Sequence, residues 1–248
     1  MLVIKAKSIN DLWFKTLRRI LQTDENGNFK WSYSTGIIQK GSFEGEQTRL
    51  QLPAFAAEVE YPLVDNIVML PEGSTLPAPT SPEKAQAYFE EYILGSELKE
   101  NETYTYGSRI NISLWKVIEM LKQTPVTNQA VIEIARPEDV VLCKGKDGKD
   151  DPPCLRLITF KVRPAYDAAT GKLVRTDSRL DLSCFFRSWD LYSGMPENLA
   201  GISKLLQFVS DEIEIPAGKL YAYSDGLHLY KYQKELAELR TKLACPEY

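Results

Sequence analysis

The chain has 248 residues, of which 44% are hydrophobic, so it can bury a large core as one domain or two. Its net charge of −4 argues against a general nucleic-acid binder, which usually carries a basic excess. No run approaches about 18 consecutive apolar residues, so we expect no membrane contact. The apolar stretch within residues 1–7 is too short and too soon interrupted by lysine to be a signal peptide, so we expect a cytoplasmic location.

Hydrophobic periodicity divides the chain into alternating strand-like and helical stretches. In chain order, the pattern predicts a strand (1–7), a helix (8–21), a strand (29–38), an ambiguous stretch with strand-like alternation (50–62), two helices (81–94 and 111–123), three strands (131–134, 154–162 and 180–186), a helix (199–209), a strand (220–232) and a helix (234–243). Ser8 and Ser81 are candidate helix caps, and the proline after Ser81 suits a first helical position. Residues 167–171 and 194–196 are predicted turns, and 144–151 is a charged loop.

The four cysteines are Cys143, Cys154, Cys184 and Cys245. They form no CxxC pair, and the single histidine cannot complete a common zinc site, so we expect no structural metal. The arrangement suits a reducing compartment, although a bridge between Cys143 and Cys154, or one to Cys184, stays open.

Cys154 is a candidate nucleophile. It directly follows two prolines, which stiffen the chain before it, and it begins an apolar strand. A nucleophilic cysteine needs partial exposure and a positive neighbour that lowers its pKa. Arg187, at the end of a strand that we expect to be adjacent, suits that part. The alternative is that Cys154 is a small buried hydrophobic residue.

Polar residues gather where the strand 180–186 gives way to the helix 199–209. They are Arg187, Ser188, Asp190 and Asn198. Strand ends and helix starts are where open sheets present polar groups to ligands. The alternative is an ordinary loop with Asn198 as a helix cap.

His228 and Tyr230 are two residues apart in the last predicted strand, so their side chains share one face. They are either part of a site or an ordinary half-buried pair.

Together these segments resemble the thymidylate synthase family. The matching segments are Pro152-Pro153-Cys154, Arg187-Ser188-Trp189-Asp190, residues 194–198, His228-Leu229-Tyr230 and, upstream, Tyr104 to Arg109. Their order and spacing are close to those of the family, and the short form looks most like its compact archaeal members. The resemblance implies an α+β fold with a large mixed sheet covered by helices, in a single domain over 1–248, and a homodimer that packs sheet against sheet. Its motifs lie within 103–232, whereas residues 1–100 are divergent.

The implied activity is the methylation of dUMP to dTMP with 5,10-methylenetetrahydrofolate as the one-carbon donor. The matching positions imply Cys154 as the thiolate that adds to C6, Asn198 as the contact of the uracil edge, and Tyr106 as the contact of the water that removes the C5 proton. For the rest of the nucleotide they imply Arg187 and Ser188 at the phosphate and His228 and Tyr230 at the ribose. Asp190 is implied in the network that touches folate and base, and Gly194 at the folate. The implied partners are therefore a pyrimidine nucleotide and a folate, with no metal. An amide at Asn198 favours uracil, since a carboxylate there would favour cytosine.

Two family features are not matched residue for residue. The segment that lends two arginines to the partner's phosphate reads Thr127-Asn128-Gln129-Ala130, with no arginine. Arg136, Lys144, Lys146 and Lys149 are candidates to replace them. Glu58 and Glu60 are the candidates for a catalytic acid.

Two other functions stay open. The first is hydroxymethylation of a pyrimidine nucleotide, in which water instead of hydride completes the reaction; the bulky Trp189 could admit or exclude that water. The second is a nucleotide-binding homologue without turnover.

Overall fold

The computed structural model describes residues 1–35, 48–63, 73, 76–100, 104–143, 151–244 and 246–247. Its strands are Leu2–Ala6 (β1), Tyr33–Thr35 (β2), Arg49–Gln51 (β3), Phe55–Val59 (β4), Val131–Glu133 (β5), Leu155–Arg163 (β6), Arg179–Phe186 (β7), Trp189–Asp190 (β8), Ala217–Ser224 (β9) and Leu227–Tyr230 (β10). Its α-helices are Ile9–Ile20 (α1), Pro82–Tyr88 (α2), Gly107–Ile110 (α3), Leu114–Gln123 (α4), Asp139–Leu142 (α5), Gly194–Ile213 (α6) and Lys234–Thr241 (α7). A π-helical turn, Phe89–Leu94, continues α2, and a 3-10 turn, Lys231–Gln233, precedes α7.

The strands form two sheets. The large sheet has the order β1-β4-β9-β7-β6-β5, and the small sheet has the order β2-β3-β10-β8. In the large sheet β1 is parallel to β4 and β9 is parallel to β7, whereas the other neighbours are antiparallel. This confirms the predicted α+β class and its large mixed sheet.

Helices cover one face of the large sheet. The apolar side of α1, which includes Leu12, Trp13 and Leu17, is buried, and α1 contacts β1, β4 and α6. Burying each such side chain stabilises the fold by about 1.5–3 kcal/mol. Ser8 caps α1 as predicted, because its Oγ accepts a hydrogen bond from the N–H of Asp11 at 3.2 Å. Ser81 caps α2 in the same way through the N–H of Lys84.

The predicted helix 199–209 is longer at both ends, and the turn predicted at 194–196 is in fact its first turn. Asp190 accounts for the earlier start, because its Oδ2 accepts a hydrogen bond from the N–H of Gly194 at 3.4 Å. Pro196 is tolerated there, since the first turn of a helix needs no main-chain donor from it.

The predicted last strand, 220–232, is wrong as one element. The chain leaves the large sheet after Ser224, and β10 then joins the small sheet. Gly226 makes this step possible, because a Cβ on it would lie 2.7 Å from the carbonyl oxygen of Arg187. The ambiguous stretch 50–62 likewise contributes to two strands, β3 and β4, in different sheets.

Other predicted boundaries shift by smaller amounts. The strand predicted at 29–38 is reduced to β2 within the described residues, and positions 36–38 lie outside them. The helix predicted at 111–123 begins at Leu114, after the separate short helix α3. In the part of the chain that the structure describes, no helix has both the length and the apolar character needed to cross a bilayer.

Candidate active site

The site lies at the end of the inner strands of the large sheet, where β6 begins and β7 ends. Leu155 and Phe186, the first and last residues of these strands, pair directly in the antiparallel register. The segments that carry Cys154 and Arg187 therefore meet, as the sequence predicted. β9 runs parallel to β7 and ends beside it at Ser224, so the chain that leads to β10 passes the same end of the sheet.

Arg187 is bonded to the loop that carries Cys154. Its main-chain N–H donates to the carbonyl of Cys154 at 2.9 Å. Its Nε donates to the carbonyls of Pro152 at 3.0 Å and Pro153 at 3.3 Å, while its Nη2 donates to Pro152 and, at 3.2 Å, to Oδ1 of Asp151. Because the guanidinium is a rigid planar fork, these bonds hold the two prolines in place ahead of the thiol.

The Cys154 thiol is half-buried, and its pKa lies above the ordinary value. Burial is the largest cause; Arg187 and Arg156 oppose it, and the Asp151 carboxylate adds to it. Arg187 thus lowers the pKa of the thiol as expected, but it does not outweigh burial.

The described cysteines Cys143, Cys154 and Cys184 are all free, so none of the bridges left open among them is present. Cys245 lies outside the described residues.

Aromatic hydroxyl groups surround the start of β6. The Tyr106 hydroxyl oxygen accepts a hydrogen bond from the N–H of Leu155 at 3.2 Å, directly after the thiol. Tyr106 contacts Tyr92 edge-on at 4.9 Å between ring centroids, and Tyr92 stacks on Tyr88 at 5.6 Å. The Tyr88 hydroxyl is buried without a hydrogen-bond partner among the described residues. A buried donor without a partner costs free energy unless a ligand satisfies it.

Asp190 is fixed at the N-terminus of α6. Its Oδ1 accepts from the N–H of Tyr192 at 2.9 Å, and its Oδ2 accepts from Gly194 and, at 3.3 Å, from the amide of Gln233. Burial raises the pKa of this carboxyl, and these hydrogen bonds oppose the rise. Gly194, the predicted folate contact, thus lies beside Asp190.

Asn198 is the fifth residue of α6 and faces Trp189. Its Oδ1 accepts a hydrogen bond from the indole Nε1–H of Trp189 at 2.9 Å. Trp189 is 2% exposed and stacks on Phe186 with ring centroids 4.1 Å apart. Trp189 therefore supports Asn198 from within the protein, and its predicted influence on water at the site stays a prediction.

His228 is 2% exposed and lies beside β8, where it pairs with Asp190 in the parallel register. Its Nδ1 lies 2.7 Å from the carbonyl oxygen of Gly226. A carbonyl oxygen only accepts, so Nδ1 carries the hydrogen and Nε2 is an acceptor. Nε2 is buried and has no partner among the described residues. Burial, reinforced by the Arg49 charge, lowers the pKa of His228 to about 4 although the Gly226 bond opposes the change, so the ring is neutral at pH 7.

The remaining predicted residues lie close by. Tyr230 contacts His228 edge-on at 4.7 Å between centroids and stacks on Tyr232 at 5.5 Å. Burial raises the pKa of the Tyr230 phenol. Ser188 is half-buried, and its hydroxyl makes no hydrogen bond to the residues that the structure describes.

The candidates for missing family features lie elsewhere. Glu58 forms ion pairs with Lys219 and, at 3.6 Å, with Lys5 on the large sheet, so it is not among the groups around Cys154. The other candidates on described residues, Glu60 and Arg136, are exposed, as are Asn128 and Gln129 in the segment that lacks the arginines. Lys144, Lys146 and Lys149 lie outside the described residues.

Sequence reasoning missed Arg49, Tyr88 and Tyr92. Arg49 is buried and pairs with Tyr230 across β3 and β10, which are far apart in the chain. Tyr88 and Tyr92 are four residues apart on a predicted helix, a spacing that places both on one face. That spacing was visible, but nothing in the sequence indicated that the face meets Cys154.

Comparison with known proteins gives a consistent answer. The family model described as thymidylate synthase matches residues 92–246. Proteins from Methanosarcina mazei and Methanococcoides burtonii, each named "putative thymidylate synthase", are 26% and 27% identical over 245 and 243 residues, which cover 95% of this chain and 93% of each relative. The thymidylate synthase of T4 phage has a similar fold, with a TM-score of 0.58 at 16% identity over 95% of this chain and 82% of that chain.

Proposed function

The chain belongs to the thymidylate synthase family, and on that premise we propose that it transfers a one-carbon unit to C5 of a uracil nucleotide and converts dUMP to dTMP. The observation that carries the proposal is one connected set of groups. The main-chain carbonyl of Cys154 is bonded to Arg187, which shortly precedes β8. β8 in turn bonds to the Asn198 amide through Trp189 and pairs with the strand that carries His228. A nucleophile, a base-reading amide and a hydroxyl-reading acceptor are what a nucleotide C5-transferase requires.

Cys154 is the nucleophile. Its thiol loses a proton to solvent, and the thiolate then adds to C6 of the pyrimidine. A sulfur–carbon bond forms, and the π pair of the C5–C6 double bond moves toward C5 and O4. The amide of Asn198 donates to O4 and stabilises the charge that develops there. The same sulfur–carbon bond breaks when the product forms, which returns the thiolate.

The nucleotide is held through its phosphate and its sugar. Arg187 and Ser188 bind the phosphate; Arg187 already has a carboxylate oxygen, that of Asp151, as a partner that an anionic ligand can replace. His228 accepts a hydrogen bond from a ribose hydroxyl at Nε2, and Tyr230 stands beside it. The buried cation of Arg49 adds positive potential to this end of the site.

A cavity of about 400 Å³ lies beside the tyrosines and is the proposed folate site. Its lining includes two tyrosines (Tyr88 and Tyr92), two lysines (Lys84 and Lys99) and three glutamates (Glu91, Glu97 and Glu197). Aromatic walls suit a flat heterocycle, and Lys84 suits a carboxylate tail, whereas Lys99 is already paired with Glu91 at 2.7 Å.

When bound, 5,10-methylenetetrahydrofolate supplies the methylene carbon and the hydride that reduces it. On the protein side, Asp190 and Gly194 border the folate, and Tyr106 holds the water that accepts the C5 proton.

We also propose a homodimer that packs through the uncovered face of the large sheet. An apolar row crosses this face in register, formed by Val3, Ala56, Tyr223, Phe185 and Leu157. Val3 is 56% exposed and Tyr223 is 43% exposed in the single chain. A contiguous apolar surface of this kind marks an interaction site. The activity belongs to the cytoplasm, where a free thiol stays reduced.

The second candidate is a nucleotide-binding homologue without turnover. Two observations favour it: the pKa of the Cys154 thiol lies above its ordinary value, and Asn128 and Gln129 carry no charge for a partner's phosphate.

Tritium release from dUMP labelled at C5 tests both functions. We expect release that depends on added 5,10-methylenetetrahydrofolate. Folate-independent release would contradict the transferase proposal, whereas binding of dUMP with no release would favour the second candidate. A parallel screen of UMP, dCMP and CMP for exchange of the C5 proton identifies the nucleotide used.

A further inference from the structure

The indole of Trp189 cannot turn freely. Trp189 is 2% exposed, and its ring lies nearly parallel to that of Phe186, at 5° and 4.1 Å between centroids. Its main chain is held in β8 by pairing with Leu227 in β10. The Nε1–H therefore has a fixed direction, and it points at Oδ1 of Asn198 at 2.9 Å.

This bond decides which end of the Asn198 amide faces which way. The oxygen and nitrogen ends of an amide are nearly equal in size, so packing alone does not choose between them. An indole N–H only donates, so the oxygen must face Trp189. Nδ2 is then directed away, and it makes no hydrogen bond to any residue that the structure describes.

We propose that Trp189 is a positioning residue that sets the preference for uracil over cytosine by fixing the orientation of the Asn198 amide, an inference that rests on the proposed function. Nδ2 donates to the O4 carbonyl of uracil. The second lone pair of Oδ1 stays available to accept the N3–H. Cytosine has an amino group at C4, which would set two donors against each other at Nδ2.

The test measures the dissociation constants of dUMP and dCMP with the full-length protein by titration calorimetry. Trp189→Phe keeps an aromatic ring over Phe186 but removes the five-membered ring that carries the N–H, so it costs packing as well as the donor. We expect the dUMP preference, given as the ratio of the two constants, to fall by about fivefold to tenfold, as for the loss of one neutral hydrogen bond. Phe186→Leu is the control for lost packing: it disturbs the same stack but keeps the N–H, so the ratio should fall less than in Trp189→Phe.

The outcomes separate the two claims. If the unmodified protein prefers dUMP and Trp189→Phe retains the same ratio, the positioning role is wrong while the proposed function stands. If the unmodified protein binds neither nucleotide, the proposed function fails, and this inference fails with it. Equal losses of affinity for dUMP and dCMP in Trp189→Phe would indicate a purely structural role and would also overturn the inference.

A spectroscopic readout tests the hydrogen bond without any nucleotide. The sequence has four tryptophans, so the indole N–H signal that disappears in Trp189→Phe assigns that of Trp189. Asn198→Leu should shift this signal and speed its exchange with solvent. An unchanged signal in Asn198→Leu would show that the bond does not form and would overturn the proposal.

Discussion

The main-chain N–H of Arg187 donates a 2.9 Å hydrogen bond to the carbonyl of Cys154, while the Arg187 guanidinium holds the carbonyls of the two preceding prolines. Beyond the strand pairing itself, one residue, Arg187, thereby links the end of β7 to the loop that precedes β6. Any movement of Arg187 toward a ligand must change the surroundings of the thiol, so the phosphate site and the nucleophile are coupled.

Removing the Arg187 charge should raise the pKa of the Cys154 thiol further, because a nearby cation favours the thiolate. We expect Arg187→Gln to be alkylated more slowly by iodoacetamide at a given pH, with the pH profile of Cys154 labelling, followed by mass spectrometry, displaced upward. Arg156→Gln is the control; its smaller influence on this thiol predicts a smaller displacement. Identical profiles for Arg187→Gln and the unmodified protein would contradict the coupling.

His228 should make the fold sensitive to acid. The folded pKa of about 4 lies below the ordinary value of 6.5, so the unfolded chain binds the extra proton first as the pH falls. Titration of His228 does not change the free energy of unfolding above pH 6.5. This free energy falls as the pH drops from 6.5 to about 4, and the total loss is about 3 kcal/mol. Because His228 is the only histidine in the sequence, one NMR titration reports its pKa. His228→Asn should flatten this part of the curve of unfolding free energy against pH; an ordinary pKa for His228 would contradict the burial argument.

Tyr88→Phe should separate stability from activity. The buried Tyr88 hydroxyl has no partner among the described residues, so its removal should leave the free energy of unfolding unchanged or raise it by about 1 kcal/mol. If the hydroxyl serves the ligand, tritium release should fall by about tenfold or more. A loss of stability in Tyr88→Phe, measured by denaturant unfolding, would show instead that the hydroxyl has a structural partner.

A charge in the apolar row of the open sheet should prevent dimerisation. Phe185 lies in the middle of that row, between Tyr223 and Leu157. Phe185→Lys would bury two lysines in a symmetric interface, so we expect a monomer at micromolar concentration by equilibrium sedimentation. Leu239→Lys, at a 59% exposed position on α7, should remain a dimer. A monomeric unmodified protein would contradict the proposed homodimer.

Features set by local physical chemistry were predictable from the sequence. The caps Ser8 and Ser81 depend only on neighbouring residues, and the meeting of Cys154 with Arg187 followed from the pairing of consecutive strands. The start of α6 was missed because the side chain that accepts from its first N–H, that of Asp190, lies four residues ahead of the helix.

Relations between distant segments were not predictable. The bond between Trp189 and Asn198 depends on how α6 lies against β8, and the step at Gly226 depends on the main chain of Arg187. Tyr88 approaches the start of β6 through ring contacts with Tyr92 and Tyr106. Its position therefore depends on how α2 and its π-helical turn pack near β6, which no local sequence pattern indicates.

The central claim is that Cys154 carries out methyl transfer to a uracil nucleotide. Its most direct test is mass spectrometry of the nucleotide after incubation of dUMP and 5,10-methylenetetrahydrofolate with the unmodified protein, Cys154→Ser and Cys184→Ala. We predict dTMP, which is heavier than dUMP by one CH2 group, with the unmodified protein. Cys184→Ala is the control, because it removes a different thiol that lies buried in β7, and it should also form dTMP. We predict no dTMP above background with Cys154→Ser. Undiminished dTMP formation by Cys154→Ser, or no dTMP from the unmodified protein under conditions where dUMP binds, would contradict the claim.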